Sequence, residues 1–346
     1  MEKIRWAVVL MGCTLTGVVL YSMSASLGQQ QVQGEVVRRQ VVVGGWGSAI
    51  GQFGLYKEEG AFGPPSFAID AAGRVYVADI FNRRVQVFAP DGSSLRAITA
   101  GGEALMPLQD MYVSKDGTIY GTDAWLVFMC AAEGDRFERL PGEPRIGGQE
   151  DRSQVFSIVA ARSVGNPSVF LYLEQMGRRA DNSGTVSINE YDSGLRCVAT
   201  VEGHDLCADP EGRRVCGILG RRETGPGAAD LWVVVIETAT GGCHSVHVQL
   251  AKLTGRRAAT QLVGCDFEGR IYIFAREDYA QPDAPAAVLV YDQSGDLVAN
   301  VPIAHWGSRD VFLEGRPIRV GPTGDIYVAS ATYEEGYRIE EYSWQK

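Results

Sequence analysis

The feature that most constrains this chain is a strand–turn–strand unit that returns along its length. The clearest copy, residues 63–92, reads GPPSFAIDAAGRVYVADIFNRRVQVFAPDG. Residues 66–70 are a short apolar run, 71–73 (AAG) a tight turn, and 75–78 (VYVA) a β-branched and aromatic strand. Residues 84–89 (RVQVFA) alternate polar and apolar, as a half-buried strand does. Pro90, Asp91 and Gly92 turn the chain again, because Pro presets φ and Gly accepts φ > 0. Three strands joined by tight turns make most of a four-stranded antiparallel meander.

The unit recurs as MYVSKDGTIYGTD (111–123), LVGCDFEGRIYIFA (262–275) and IRVGPTGDIYVAS (318–330). Two degenerate copies lie between them: SIVAARSVGNPSVFLYLE (157–174), and VCGILG followed by DLWVVVIE (230–237) as first and second strands of a fourth unit. Second strands thus begin near residues 74, 118, 168, 230, 270 and 325. The spacing of roughly 40–60 residues is that of propeller blades with loop insertions. The expected fold is all-β: a six-bladed β-propeller of four-stranded antiparallel blades. The alternatives are a seven-bladed ring or two smaller β-domains. The sixth unit stops after its third strand, at the chain end. The strand EVVRRQVVVGG (35–45) supplies its fourth, so the ring is closed by the N-terminal strand and exposed edges are removed. One domain is expected over 35–346, after a Gln-rich lead-in at 29–34.

Residues 63–92 resemble the NHL repeat of β-propellers. The likeness lies in the Pro-led first strand, the GRVYVAD core, the Asn82-Arg83 pair, VQVF and Asp91-Gly92. The resemblance implies a propeller that presents a binding surface on its loop-rich face. Some similar six-bladed propellers are metal-dependent lactonases or peptide-amidating lyases, with His, Glu, Asp and Asn around a channel metal.

Residues 1–28 carry Lys3 and Arg5, then an uncharged, mostly apolar run at 6–21 and small residues, SMSASLG. This is the pattern of a secretory signal peptide, or of a membrane anchor if uncleaved; a run of this length is short beside the ~20 residues of a full span. The expected location is extracytoplasmic: periplasmic, secreted or membrane-anchored. Any contact with membrane would be made through this segment alone. The net charge of −10 excludes the basic footprint of a nucleic-acid partner. No C-x-x-C is present to support a zinc ribbon. Cys207 and Cys216 bracket ADPEGRRV, and are either a loop-closing disulfide or free buried thiols.

Functional residues of a propeller gather where fourth strands lead to first strands and second to third, on one face around the channel. The loops assigned to that face, GHDLCADPEGRR (203–214) among them, carry Trp46, Phe81, Arg83, Trp125, Arg178, Arg179, Tyr279, Trp306 and Arg309. Aromatic and Arg side chains are the usual anchors of recognition surfaces. A second set, His204, Asp205, His305 and Asp310, has donors for a divalent cation, or is made of ordinary loop residues. His244 and His247 are three apart on a strand and point to opposite faces. GGWGSAIG (44–51) has no helix after it and is no dinucleotide fingerprint. Asp79 and Asn82 are read as structural, with Asp79 tying its loop to backbone N–H groups.

The reading that follows is an exported, non-catalytic binding module for a protein, peptide or glycan, needing no cofactor. Its alternatives are a structural part of an envelope complex and a metal-dependent propeller hydrolase or lyase.

Overall fold

The computed structural model describes residues 36–344 except 58–59, 100–107, 124, 142–143, 145–153, 163–168, 179–183, 193–194, 196, 226–227, 251–258, 277–285, 305–306, 309, 312 and 314–315. The chain divides between Gln31 and Val32, into residues 1–31 and Val32–Lys346. The first lies outside the described residues, as does the expected signal segment. The second is a six-bladed β-propeller. Among its described residues there is no α-helix, and no helix long and apolar enough to cross a membrane.

The strands run in order. β1 is Val36–Gly44. The first blade is β2 (Phe67–Ile69), β3 (Val75–Asp79), β4 (Arg84–Phe88) and β5 (Ser94–Thr99); the second is β6 (Asp110–Val113), β7 (Ile119–Thr122), β8 (Val127–Cys130) and β9 (Glu138–Arg139). The third is β10 (Gln154–Arg162), β11 (Val169–Arg178), β12 (Gly184–Tyr191) and β13 (Cys197–Glu202). The fourth is β14 (His204–Ala208), β15 (Arg214–Gly225), β16 (Ala228–Glu237) and β17 (Gly242–Leu250). The fifth is β18 (Ala259–Cys265), β19 (Ile271–Arg276), β20 (Ala286–Tyr291) and β21 (Leu297–Ile303). The last holds β22 (Gly307–Ser308), β23 (Ile318–Val320), β24 (Ile326–Thr332) and β25 (Gly336–Trp344). Each of the first five blades is an antiparallel meander in chain order. In the sixth, β1 pairs antiparallel with β25, from Val36 opposite Trp344 to Gly44 opposite Tyr337, with a bulge between Gln40 and Val42. A feature absent from the sequence reading is β22, a two-residue strand lying parallel to β24.

Inner strands are apolar on both faces because each blade is sandwiched between two others. Every residue of β3 and of β19 is buried, whereas β17, at a blade's outer edge, exposes most of its first half. The residues expected between blades, Val75, Val77, Ile119, Leu171, Val233, Ile271, Ile273, Ile326 and Val328, are all buried. Each of the six seams has its own apolar cluster. That between the first and sixth blades joins Val75 and Val77 to Ala329 and Ile339, together with Val41 and Val42 of β1. That between the fourth and fifth joins Val233 and Val248 to Leu262 and Ile273.

The fourth blade corrects the sequence reading by one strand. The segment VCGILG lies in the second strand, β15, and not in the first; DLWVVVIE is the third strand and CHSVHVQL the fourth. The innermost strand is β14, in a stretch that the sequence pattern assigns to a loop. The ADPEGRR turn therefore joins first and second strands and faces away from the expected functional face. Asp209 caps it: its carboxylate accepts from the backbone N–H groups of Glu211 (2.9 Å), Arg213 (3.1 Å) and Arg214 (2.9 Å). Asp70 and Asp266 hold the matching turns of the first and fifth blades in the same way. There the turn's arginine and a tyrosine join in, as Tyr76 on Asp70 and Tyr272 on Asp266 (2.7 Å). Burial, with Asp70 beside it, pushes the Tyr76 hydroxyl up to about 12.

Asp79 has the structural role expected of it. It is fully buried and accepts from Gly54 N (2.7 Å), Asn82 Nδ2, Arg84 Nε (2.8 Å) and Gln86 Nε2 (2.9 Å). Arg84 reaches on to the carbonyls of Ser48, Ala49 and Gln52, so one carboxylate organises the whole 44–54 loop.

Candidate functional site at the channel mouth

The innermost strands β2, β6, β10, β14, β18 and β23 line a narrow central channel. At the end where these strands begin, a cavity of about 270 Å³ is lined by Gln109, Gln154, Phe156, Glu174, Asp205, Gln261 and Arg316. This is the face of the second-to-third strand connections, as the sequence reading expected of a site.

The backbone aims two of these side chains. β10 is out of register between Val155 and Ser157, so Phe156 is the extra residue of a bulge and faces the cavity. β14 slips between His204 and Cys207, and there Asp205 takes φ 57°, a left-handed conformation uncommon outside glycine. β18 slips between Leu262 and Gly264. Bulges re-aim side chains and are frequent beside functional sites. Here three adjacent blades carry one at the same level.

Two arginines from the sixth blade fill the channel below. Arg316 pairs with Glu174 (3.0 Å) and donates to the carbonyl of Leu206; Arg319 pairs with Asp110 and donates to Phe67 O (2.9 Å). Glu174 also accepts from Leu206 N (2.8 Å), and Asp110 from the Ser157 hydroxyl (2.6 Å) and Ile158 N. Asp110 is wholly buried. Burial alone would raise its carboxyl, but Arg319, Arg316 and Ser157 hold it below the ordinary carboxylate range. These charges are committed to one another and form a rigid floor. The neutral amides of Gln109, Gln154 and Gln261 line the cavity above it.

His204 opens β14 at the same mouth, half-exposed, with Nδ1 3.5 Å from Asp205 Oδ2. The Asp205 hydrogen bond raises its pKa above the ordinary 6.5, against the opposing effect of burial. The pair's contribution is therefore present below about pH 6.5 and is lost as pH rises through the raised value. An NMR titration of His204 is expected to show a midpoint above 6.5 in the wild type and a lower one in Asp205→Asn; equal midpoints would refute the pairing.

Of the sequence-predicted residues, Asp205 lines the cavity and His204 is its neighbour at the start of β14. Asp310 accepts from Tyr333 N (3.3 Å), and His305 lies outside the described residues. His204, Asp205 and Asp310 alone form no ligand group; among the described residues the group of metal-ligating side chains is Cys207, Cys216 and Cys265. Cys207 and Cys216 face each other across β14 and β15 as free thiols. Phe81, Arg83 and Trp125 are exposed on the mouth face, with Phe81 stacked on Tyr56 at 5.7 Å. Trp46 is half-buried, packs into the seam between first and sixth blades, and donates to Thr332 O (3.0 Å). Arg178 ends β11. Arg179, Tyr279, Trp306 and Arg309, and with them the expected centre of the surface, lie outside the described residues. Sequence reasoning missed Phe156, Glu174 and Arg316. All three sit in or beside strands, and only the bulges and the buried pairing reveal them.

No family model matches this chain, and no curated protein matches it. Solved structures do. A member of the duf4221 family from Bacteroides vulgatus superposes with a TM-score of 0.50 at 10% identity, covering 92% of this chain and all 100% of that one. A gluconolactonase from Xanthomonas campestris aligns at 0.48 and 11% identity over 83% of this chain and 90% of that one. A streptogramin B lyase gives 0.45 and 11% over 90% and 98%. At such identities the likeness speaks to the fold alone.

Proposed function

We propose that this propeller is a non-catalytic, extracytoplasmic recognition module that takes a sugar ring of a glycan into its channel mouth. The observation that carries the reading is Phe156, turned by its bulge into a cavity rimmed by three glutamine amides and Asp205. An aromatic face stacks on the apolar face of a pyranose, and amides with a carboxylate match its hydroxyls. Preformed pockets of this kind fix orientation with a few placed polar groups. The ionised groups beneath are paired among themselves, which suits a neutral ligand. Phe81, Arg83 and Trp125 lie exposed on the same face and extend the surface a longer ligand would cover. The likeness of residues 63–92 to the NHL repeat and the leader-like residues 1–28 agree with this assignment.

The test is a glycan array probed with purified protein, followed by calorimetry on the best ligand. Phe156→Ala is expected to weaken binding at least tenfold, in line with ~2 kcal/mol for truncating an anchor, and Gln154→Ala or Gln261→Ala to weaken it less. Binding to peptides and to no glycan would overturn the ligand class. Turnover of a bound sugar lactone would overturn the non-catalytic assignment.

A further inference from the structure

The seam between the fourth and fifth blades contains something its apolar packing does not require. Cys207 on β14, Cys216 on β15 and Cys265 on β18 bring their sulfurs within 4.8 Å of one another, and Cys216 and Cys265 are 3.2 Å apart. All three are buried, at 5%, 1% and 1% exposure. They come from three strands and two blades, so the fold assembles them; no local motif does. A disulfide would use two of them and leave the third.

We propose that Cys207, Cys216 and Cys265 form a binding site for a soft, three-coordinate cation such as Cu(I). Thiolates select soft ions. Zinc in structural sites takes four ligands, and among the described residues no fourth cysteine, histidine or carboxylate joins the group. Binding replaces three S–H bonds by three metal–sulfur bonds and releases three protons to solvent; no electron is transferred. Of the three, Cys207 also lines the channel cavity in which Arg316 and Arg319 lie. The site is separate from the glycan pocket, whose test it does not share.

The experiment is anaerobic titration of the reduced, full-length protein with Cu(I) against bicinchoninate, with X-ray absorption of the product. One equivalent is expected to transfer, with three sulfur neighbours. Cys265→Ala and Cys207→Ala are each expected to lose more than about 100-fold in affinity, beyond the effect of an outer-shell change. Replacing the exposed Cys243 by Ser should change nothing. Should a cysteine variant fail to fold, the wild-type titration still decides. Cu(I) left wholly with bicinchoninate, equal uptake by the alanine variants, or a Cys216–Cys265 disulfide that reductant cannot open in the folded protein would each overturn the proposal.

Discussion

Deleting residues 29–45 is expected to abolish soluble protein. The deletion removes β1, and β25 then presents its backbone along nine residues as an open edge, ready to pair with another chain. It also strips Val41 and Val42 from the cluster that seals the first blade to the sixth. Glu340 and Glu341, both buried, lose the partners Arg38 and Arg39 that reach them across the strand pair. An unsealed seam, an open edge and two carboxylates deprived of their arginines bear on a net stability of only about 5–15 kcal/mol. Expression with separation of soluble and aggregated fractions reads the result. A soluble truncation melting at the wild-type temperature would show that the first and last blades hold without β1.

Asp79→Ala is expected to cost about 3–5 kcal/mol, the usual effect of removing one partner from a buried ion pair. Arg84, 8% exposed, keeps its charge but loses its counterion, and Gly54 N–H loses its acceptor. The melting temperature should fall by about 5–10 °C. Arg84→Gln in the same chain should restore part of the loss, because the uncompensated charge is then gone. A single variant that melts like the wild type would mean that the 44–54 loop is held by its own backbone.

The blades spelled out by a glycine turn were legible from the sequence. Gly73, Gly117, Gly269 and Gly324 all take φ near +80°, as their place between first and second strands requires. The fourth blade was misread although it carries the same mark. DAAGR (70–74), DPEGR (209–213) and DFEGR (266–270) are one turn written three times, and Gly212 has φ 65°. The long β15 and β16, of 12 and 10 residues, carry the apolar runs VCGIL and LWVVVI, which drew the reading one strand downstream. The site was less legible for a different reason. Loop aromatics are visible in a sequence, whereas a bulge that points Phe156 inward depends on the register of a partner strand. The pairing of Arg316 with Glu174 spans 142 residues, and no local pattern announces it.

The arginines in the channel also bear on the order of assembly. Repeat proteins whose units touch only their neighbours can grow from any point and stop at any length. Here Asp110 and Glu174, made early in synthesis, meet their countercharges only when residues 316 and 319 emerge from the ribosome. Until then the nascent chain holds two carboxylates that cannot be dehydrated at a tolerable cost. The ring is thus withheld from premature consolidation, and the last blade to be translated acts as keystone for those before it.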